Sequence, residues 1–487
     1  MIRQILLLSL FGIYAIAAHG QSRRLTLEET IALAHERSVD ANVALNELKK
    51  AYWDYRTYKA EQLPEISFSA TAPMYSNDYV QKQLDDGSYT FVSNDILGLK
   101  GQLNVDQNIP FTGGKISLNT SLEFLNSNKT NRYMSIPVSL TLTQPIFGVN
   151  TFKWKRCISP LEYKVAQAQY VQQVENITIN AIHYFFQLAA AHEEVNSAKQ
   201  NLDNANKLHE IGVSKRQLGQ ISESELMQLS LSALRRKAEY TQSQSDLNYN
   251  LFQLCSFLDL PDSVMIEPVL PSEIPDMQVS FDKVYNIALD NNPLAEQMLL
   301  QRTYADYNVA IAKGNRRQIN LYAQVGTTGN DKELSSAYEN AKSFTNISVG
   351  ISIPLLDWGK RKGQVKVAQS SRDVELNHIR KKEMEFKQTL FYLVGLFNNQ
   401  AEQVRISEEA DRIAQQRYKT SVETFIIGRI STLDLDDARK SKDEVRQNHI
   451  SALLAYWNYF YQMRYFALYD FVKESPLDAE FETLILQ

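Results

Sequence analysis

The chain has 487 residues, 44% of them hydrophobic and 22% charged, which excludes a disordered protein and leaves ample material for a core. Its formal net charge of −5, with no basic tract or acidic tail, gives no electrostatic case for a nucleic-acid partner. Two cysteines and seven histidines, without metal-ligand spacing among them, offer neither a disulfide scaffold nor a metal site.

Residues 1–20 read as a secretory signal: Arg3, an apolar run from Ile5 to Ala18, and the small-residue cleavage site Ala18-His19-Gly20. The mature chain then begins near Gln21 with net charge −6, Arg3 being lost from the −5 of the full chain. No cysteine follows the site, which argues against a lipid anchor. No later apolar run reaches the ~20 residues of a spanning helix.

A first repeat is expected over 21–260. Leu27, Ile31, Ala34, Val39, Val43 and Leu48 recur at helical spacing, and Pro64 stops that helix. The period then changes from 3.6 to 2, and strands are expected over 66–143: Ile66 to Ala72, Leu97 to Val105, Ile116 to Glu123 and Ile136 to Leu142. Each run has an apolar face and a polar one. Turn-forming segments separate them at Asp85-Asp86-Gly87-Ser88, Phe111-Thr112-Gly113-Gly114 and Asn126-Ser127-Asn128. Helical spacing resumes at Ser159-Pro160, a good N-cap and N1 pair, and runs to about Ile211. Ala198, Leu202, Ala205, Leu208 and Ile211 form the narrow stripe of a coiled-coil seam. A tip near 212–222 leads into a return helix from Ser222 to Leu258.

Prolines 261, 268, 271 and 275 mark a linker over 261–278, and the cycle restarts in a second repeat over 279–470. Its strands are expected over 319–353 and its hairpin tip near 421–431, leaving a C-terminal tail over 471–487. Val279-Ser280-Phe281-Asp282-Lys283 answers Leu25-Thr26-Leu27-Glu28-Glu29, and Pro354-Leu355-Leu356 answers Pro145-Ile146-Phe147. From there an offset of 209 residues (428 minus 219) holds without a gap through Glu193/Glu402, Val195/Val404, Ala205/Ala414, Gly219/Gly428 and Ser222/Ser431. The chain is read as internally duplicated, with about 45 extra residues in the first β segment: the offset is 254 (281 minus 27) before it and 209 after. Cys157 and Cys255 fall far apart on the two arms of one hairpin at about 1.5 Å per residue, so no disulfide is expected.

Isolated strand pairs attached to such long helices cannot bury their apolar face within one chain. In an exported protein without apolar helices they suit a membrane β-barrel, and a few strands per chain cannot close one, so several copies must share it. The fold class read from the residues is an α+β membrane protein with long α-helical coiled-coil hairpins and a β-barrel shared between copies. The other class considered is a periplasmic coiled-coil adaptor or scaffold without a pore.

The tip turns carry the residues of interest. Gly219 and Gly428 supply positive φ, and Ser222 and Ser431 begin the helices that follow. Asp434, Asp436 and Asp437 serve the first turn of a helix, or form carboxylate rings when copies meet at a pore. Glu225 and Gln228 stand at the first-repeat equivalents of Asp434 and Asp437, so the two turns are not interchangeable. Gly113-Gly114-Lys115-Ile116 lacks the earlier glycine and the Ser or Thr of a phosphate loop. No enzyme and no cofactor are expected. Tyr456, Tyr459, Phe460, Met463 and Phe466 follow helical spacing and read as packing, whereas Tyr75, Tyr89, Phe91, Phe124, Tyr133, Phe147 and Trp154 suit a membrane-interface girdle.

Over about residues 25 to 470 the sequence resembles the TolC-like outer-membrane efflux proteins. The resemblance rests on the Leu25 to Glu29 opening, its echo ending Asn291-Asn292-Pro293, the passage Pro354-Leu355-Leu356-Asp357-Trp358-Gly359-Lys360-Arg361, and the turn from Gly428 to Arg439. It implies a homotrimer with a barrel in the outer membrane lipid, a helical tunnel across the periplasm, and a closable tip that meets a periplasmic adaptor and an inner-membrane transporter. Such a channel serves a tripartite efflux pump or type I secretion system and conducts cargo passively. The family's gate aspartates fall on Asp434 and Asp437. Its bracing tyrosine and arginine fall on Phe425 and Ile430, leaving Arg429 as the substitute brace. The tip turns at Gly219, Ser222, Gly428 and Ser431 are the implied adaptor contacts. Where the family usually gives four strands per chain, six alternating runs occur here, the added pair lying within 97–125.

Overall fold

The computed structural model describes residues 23–127, 130–261, 264–271, 273–316, 318–352, 356–477 and 479–486. The signal and cleavage site, Asn128, and residues 353–355 of the second strand-to-helix passage lie outside the described residues. In chain order the elements are β1 (Arg23–Leu25), α1 (Leu27–Arg37), α2 (Val39–Ala60), β2 (Glu65–Gln83), β3 (Tyr89–Ile109), β4 (Gly114–Ser127), β5 (Thr130–Pro145), α3 (Thr151–Gln217) and α4 (Glu223–Phe257). There follow β6 (Ile266–Pro268), α5 (Phe281–Asn291), α6 (Leu294–Gly314), β7 (Gln318–Asp331), α7 (Leu334–Glu339), β8 (Lys342–Ser352), α8 (Lys360–Ile426) and α9 (Thr432–Ala467). Short β9 (Tyr469–Asp470), β10 (Ser475–Pro476) and α10 (Phe481–Leu486) close the chain.

The long helices match in size: α3 and α8 have 67 residues each, α4 has 35 and α9 has 36. Several boundaries differ from the sequence reading: β2 runs on to Gln83 rather than Ala72, β3 starts at Tyr89 rather than Leu97, α3 ends at Gln217 rather than about Ile211, and three helix breaks or starts move. The opening helix is two helices, broken at Ser38, whose backbone is extended (ψ 146°) and whose hydroxyl accepts the Ala41 N–H at 3.2 Å, starting a second helix. The second opening helix breaks likewise at Asn292-Pro293, where proline cannot continue the ladder. Helix α3 begins at Thr151, not at Ser159: Asn150 Oδ1 accepts the Lys153 N–H at 3.0 Å, and Pro160 is carried inside the helix.

The chain divides into two compact units. One holds Leu48–Ala168 and Pro293–Glu385 and contains a six-stranded antiparallel sheet in the order β2-β3-β4-β5-β7-β8. The β3–β4 pair, the addition relative to four strands, is thus central in the sheet. Register builds one apolar row, Ile66-Val105-Leu118-Leu140-Val325, and on the opposite face a polar row, Asp106-Ser117-Thr141-Gln324-Asn346. A bulge on β5 slips the alternation beyond Val138, so that Ile136 pairs with Ser121 instead of continuing the apolar row. The apolar face is uncovered: Ile66, Phe68, Leu118, Leu140, Val325 and Ile347 are all exposed. Among the described residues β2 and β8 remain unpaired edges, so one chain closes no barrel.

The other unit holds Met1–Glu47, Gln169–Asn292 and Phe386–Gln487. Its main core joins Ile182, Phe185 and Phe186 of α3 to Val284 of α5, Leu390 and Phe397 of α8, and Tyr456, Phe460 and Met463 of α9. The aromatic run of α9 is therefore packing, as its spacing predicts. The linker over 261–278 is tied down rather than loose. Its strand β6 pairs in parallel with β1, Tyr456 OH donates to Pro275 O at 2.5 Å, and Asn398 brackets Val279 just beyond it at 3.0 and 2.8 Å. Cys157 and Cys255 are not joined in a disulfide, as expected.

Candidate functional site: the paired hairpin tips

Both tips belong to the second unit and are built alike. At each, a glycine of positive φ ends the descending helix: Gly219 at 71° and Gly428 at 76°. Backbone bonds from Gln220 N to Lys215 O (2.9 Å) and from Arg429 N to Thr424 O (3.1 Å) close the last turns. Serine then caps the ascending helix reciprocally. Ser222 Oγ accepts the Glu225 N–H at 3.1 Å, and the Glu225 carboxylate accepts the Ser222 N–H at 2.7 Å. Ser431 Oγ accepts the Asp434 N–H at 3.2 Å, and Asp434 accepts the Ser431 N–H at 3.0 Å and its hydroxyl at 2.7 Å.

The two carboxylates singled out at the second tip are both engaged. Donation from the Ser431 hydroxyl and then its N–H holds the Asp434 carboxyl below the usual carboxylate range. Asp437 meets Arg417 Nη2 at 2.6 Å on the surface. Phe425 and Ile430 pack against the small cluster of Tyr418, Leu435 and Ala438. Arg429 is exposed and makes no side-chain hydrogen bond or ion pair among the described residues, so within one chain it braces neither aspartate.

Of the three tip aspartates the most connected is Asp436, which the resemblance leaves out of the gate pair. It takes Arg236 of α4 at 3.1 Å and, on its own helix, Arg439 and Lys440 at 3.2 Å each. Burial pushes its carboxyl up, but Lys440, Arg439 and Arg236 together hold it below the usual range. Arg439 continues to Asp443 at 2.8 Å, and Asp443 reaches α3 by accepting from Ser197 and, at 2.9 Å, from Asn201. Buried Lys442 donates to Ser197 at 3.1 Å and lies 4.9 Å from the Tyr418 ring centre. Asn204 donates to the Tyr418 hydroxyl at 3.1 Å, whose pKa burial raises. A chain of charge thus links α3, α4 and α9 beside a cleft of about 210 Å³ lined by Leu208, Gln228, Phe425, Leu433, Asp436 and Arg439. Sequence reasoning missed Arg236, Arg417, Lys442 and Asp443. The signal was the 209-residue offset itself, because Leu208, Ala233 and Leu234 stand where the second copy has Arg417, Lys442 and Asp443.

A family model described as outer membrane efflux protein matches residues 284–460. Among solved structures, the Campylobacter jejuni CmeC outer membrane channel superposes with TM-score 0.67 at 15% identity, covering 94% of this chain and 88% of that one. The match and the fold together support a TolC-like outer membrane efflux protein. The outer membrane protein VceC of Vibrio cholerae gives TM-score 0.62 at 14% identity over 91% and 95% of the two chains. The Neisseria gonorrhoeae MtrE channel, solved in an open state, gives 0.58 at 14% over 91% and 88%. At these identities the likeness establishes the fold alone. No curated protein matches the chain.

The family matched over residues 284–460 is one of outer membrane efflux proteins, transport proteins rather than enzymes, and the match points to the outer membrane. No group of three or more His, Cys, Asp or Glu among the described residues has metal-binding geometry, and no described helix is long and apolar enough to cross a membrane.

Proposed function

We propose that this efflux protein is a homotrimeric channel, gated at the paired tips, that passively conducts cargo from an inner-membrane transporter to the exterior. The observation that carries the reading is the six-stranded sheet, whose apolar face has no protein cover and whose two edges lack partners. About eight strands enclose only enough space for side chains, so six cannot surround a pore, while barrels of about 16–18 strands leave an aqueous channel. Three copies bring three times six, or eighteen strands. The polar row through Asp106, Ser117 and Gln324 then faces the lumen, the apolar row faces lipid, and edge β2 of one copy pairs with edge β8 of the next. Tyr75, Tyr89, Phe91, Phe124, Tyr133, Phe147 and Trp154 form the interface girdle.

The two repeats, over 21–260 and 279–470, arose by duplication, and their long hairpins line a tunnel through the periplasm. The tips at Gly219, Ser222, Gly428 and Ser431 are its inner mouth, which meets a periplasmic adaptor of a tripartite pump or type I secretion system. In a trimer Asp434 and Asp437 recur as rings of carboxylates that favour cations. In the closed state the Arg236–Asp436 pair holds α9 against α4, and Asp443 holds it against α3 through Ser197 and Asn201, with Phe425 and Ile430 packed in the small cluster beside Leu435.

The test is fractionation of cells expressing the full chain, followed by sizing in detergent. Recovery in outer membranes as a particle of three chains supports the reading. A monomer in the soluble periplasmic fraction overturns it.

A further inference from the structure

Strands β2 and β3 outrun the rest of the sheet. Strand β4 ends at Ser127, opposite Ile96, whereas β3 continues from Asp95 to Tyr89, where among the described residues it pairs only with Asn77 to Gln83 of β2. At about 3.4 Å per residue this two-stranded ribbon extends roughly 20 Å past its neighbour. Alternate residues of the unbroken β3 lead from Val105 of the apolar row to Leu97, Asp95, Ser93, Phe91 and Tyr89 on one face. The register shift between Thr71 and Met74 falls on β2, and it brings Tyr75, Asn77, Tyr79, Gln81 and Gln83 onto that same face.

The character of the face changes along the ribbon. Below Ile96 its β3 residues are the aliphatic Leu99, Leu103 and Val105. Beyond Ile96, rings alternate with amides and a hydroxyl: Tyr79 lies opposite Ser93, Phe91 opposite Gln81, and Tyr89 opposite Gln83. Asp95 is the one charge on this part of the face. Tyr75, Tyr79, Tyr89 and Phe91 are each at least 63% exposed, and at the base Asn77 Nδ2 donates to the Tyr75 hydroxyl at 3.5 Å. The three outer rings follow one another at about 7–8 Å along the strand and across the diagonal, so each offers a separate platform. A two-stranded ribbon is marginal by itself, and uncovered rings on one mark a surface that meets a partner.

We propose that this face of the ribbon binds the sugar chain of the glycolipids in the surrounding outer leaflet. The inference rests on the barrel reading above and deepens its aromatic girdle by naming what the outermost rings meet. A chain reversal cannot lie in hydrocarbon, where its backbone groups would lack partners, so the passage from Ser127 to Thr130 stands clear of it and the ribbon rises farther still. The face continues the one that meets lipid and points away from the other copies in the ring. Neither a second copy nor a periplasmic partner reaches it. Sugar rings present polarised C–H groups on their flat sides and hydroxyls around their edges. The negative face of an aromatic ring attracts the first, and Asn77, Gln81, Gln83 and Ser93 supply donors and acceptors for the second. With one carboxylate and no cation, the face has nothing to hold the phosphates of a lipid head.

The experiment uses the full chain purified in detergent as the oligomer. The probes come from the glycolipid of its own outer membrane: the sugar chain freed by mild acid, and the lipid part left behind. Calorimetric titration with the freed sugar is expected to show saturable binding that Tyr79→Ala with Phe91→Ala weakens at least tenfold and that Tyr79→Phe, which keeps the ring, retains. Gln81→Val keeps both rings, suits a strand, and is expected to weaken binding threefold or more. On the opposite face, Val80→Thr with Val92→Thr is expected to leave affinity within twofold. Four results overturn the proposal while leaving the channel standing: a particle of three chains that binds no freed sugar, binding of the lipid part alone, equal loss from the two faces, or parent affinity in either the ring or the amide variant. A monomeric particle overturns both.

Discussion

The smallest determinants of the tips are single residues whose roles follow from backbone geometry. Gly428 occupies φ 76°, and Ser431 and Asp434 cap one another's amides, all of which the residue types announce in sequence. What sequence left open was whether Asp434 is a capping or a pore residue. In a single chain its carboxylate is turned onto Ser431. Its folded pKa is lowered, so the cap's contribution is full above the ordinary carboxylate value of about 4 and is lost as pH falls through the lowered value. Ser431→Ala is expected to weaken the first turn of α9 by about 1 kcal/mol at neutral pH, read as roughly fivefold faster amide exchange. It is also expected to move the acid-induced loss of protection up to the ordinary carboxylate range. Unchanged exchange at both pH values would contradict the cap. Asp436 was less legible, because its weight comes from Arg236, 200 residues earlier in the chain and brought near only by folding.

At the scale of elements, periodicity was a good guide where one face is buried and a poor one where a boundary is set by a single hydrogen bond. The six alternating runs became six strands of one sheet. The start of α3 was misplaced because Ser159-Pro160 imitates a cap, while the working cap is Asn150, ten residues before a proline that the helix tolerates. The break at Ser38 carried no proline or glycine to announce it. The central place of β3 and β4 yields a sharper prediction. Removing the whole hairpin, Tyr89–Ser127, leaves β2 and β5 antiparallel and able to pair, so the sheet should survive with four strands. The assembled barrel would shrink from eighteen strands to twelve. Single-channel conductance is expected to fall about twofold or more while recovery in the outer membrane persists, since lumen width grows with strand number. Loss of membrane recovery, or conductance equal to the parent's, would contradict a wall position for the hairpin.

For the whole molecule, duplication explains both the sameness and the difference of its halves. Helices of 67 residues recur at an offset of 209, and the tips repeat glycine and serine cap for cap. Yet the charge of the tip network belongs mostly to the second copy, where Arg417, Lys442 and Asp443 replace the Leu208, Ala233 and Leu234 of the first. Sequence alone made the amphipathic strands legible, because their alternation leaves one apolar face that a single chain does not cover among the described residues. The contacts of α9 with α3 and α4 were not legible, since they depend on register between helices far apart in sequence. The most direct measurement of the central claim is current through planar lipid bilayers containing the purified chain. The account predicts discrete, cation-preferring steps of small resting conductance that grow severalfold when Arg236→Ala and Arg439→Ala release Asp436 and Asp443. Bilayers that stay silent for the parent and the double variant alike would contradict it.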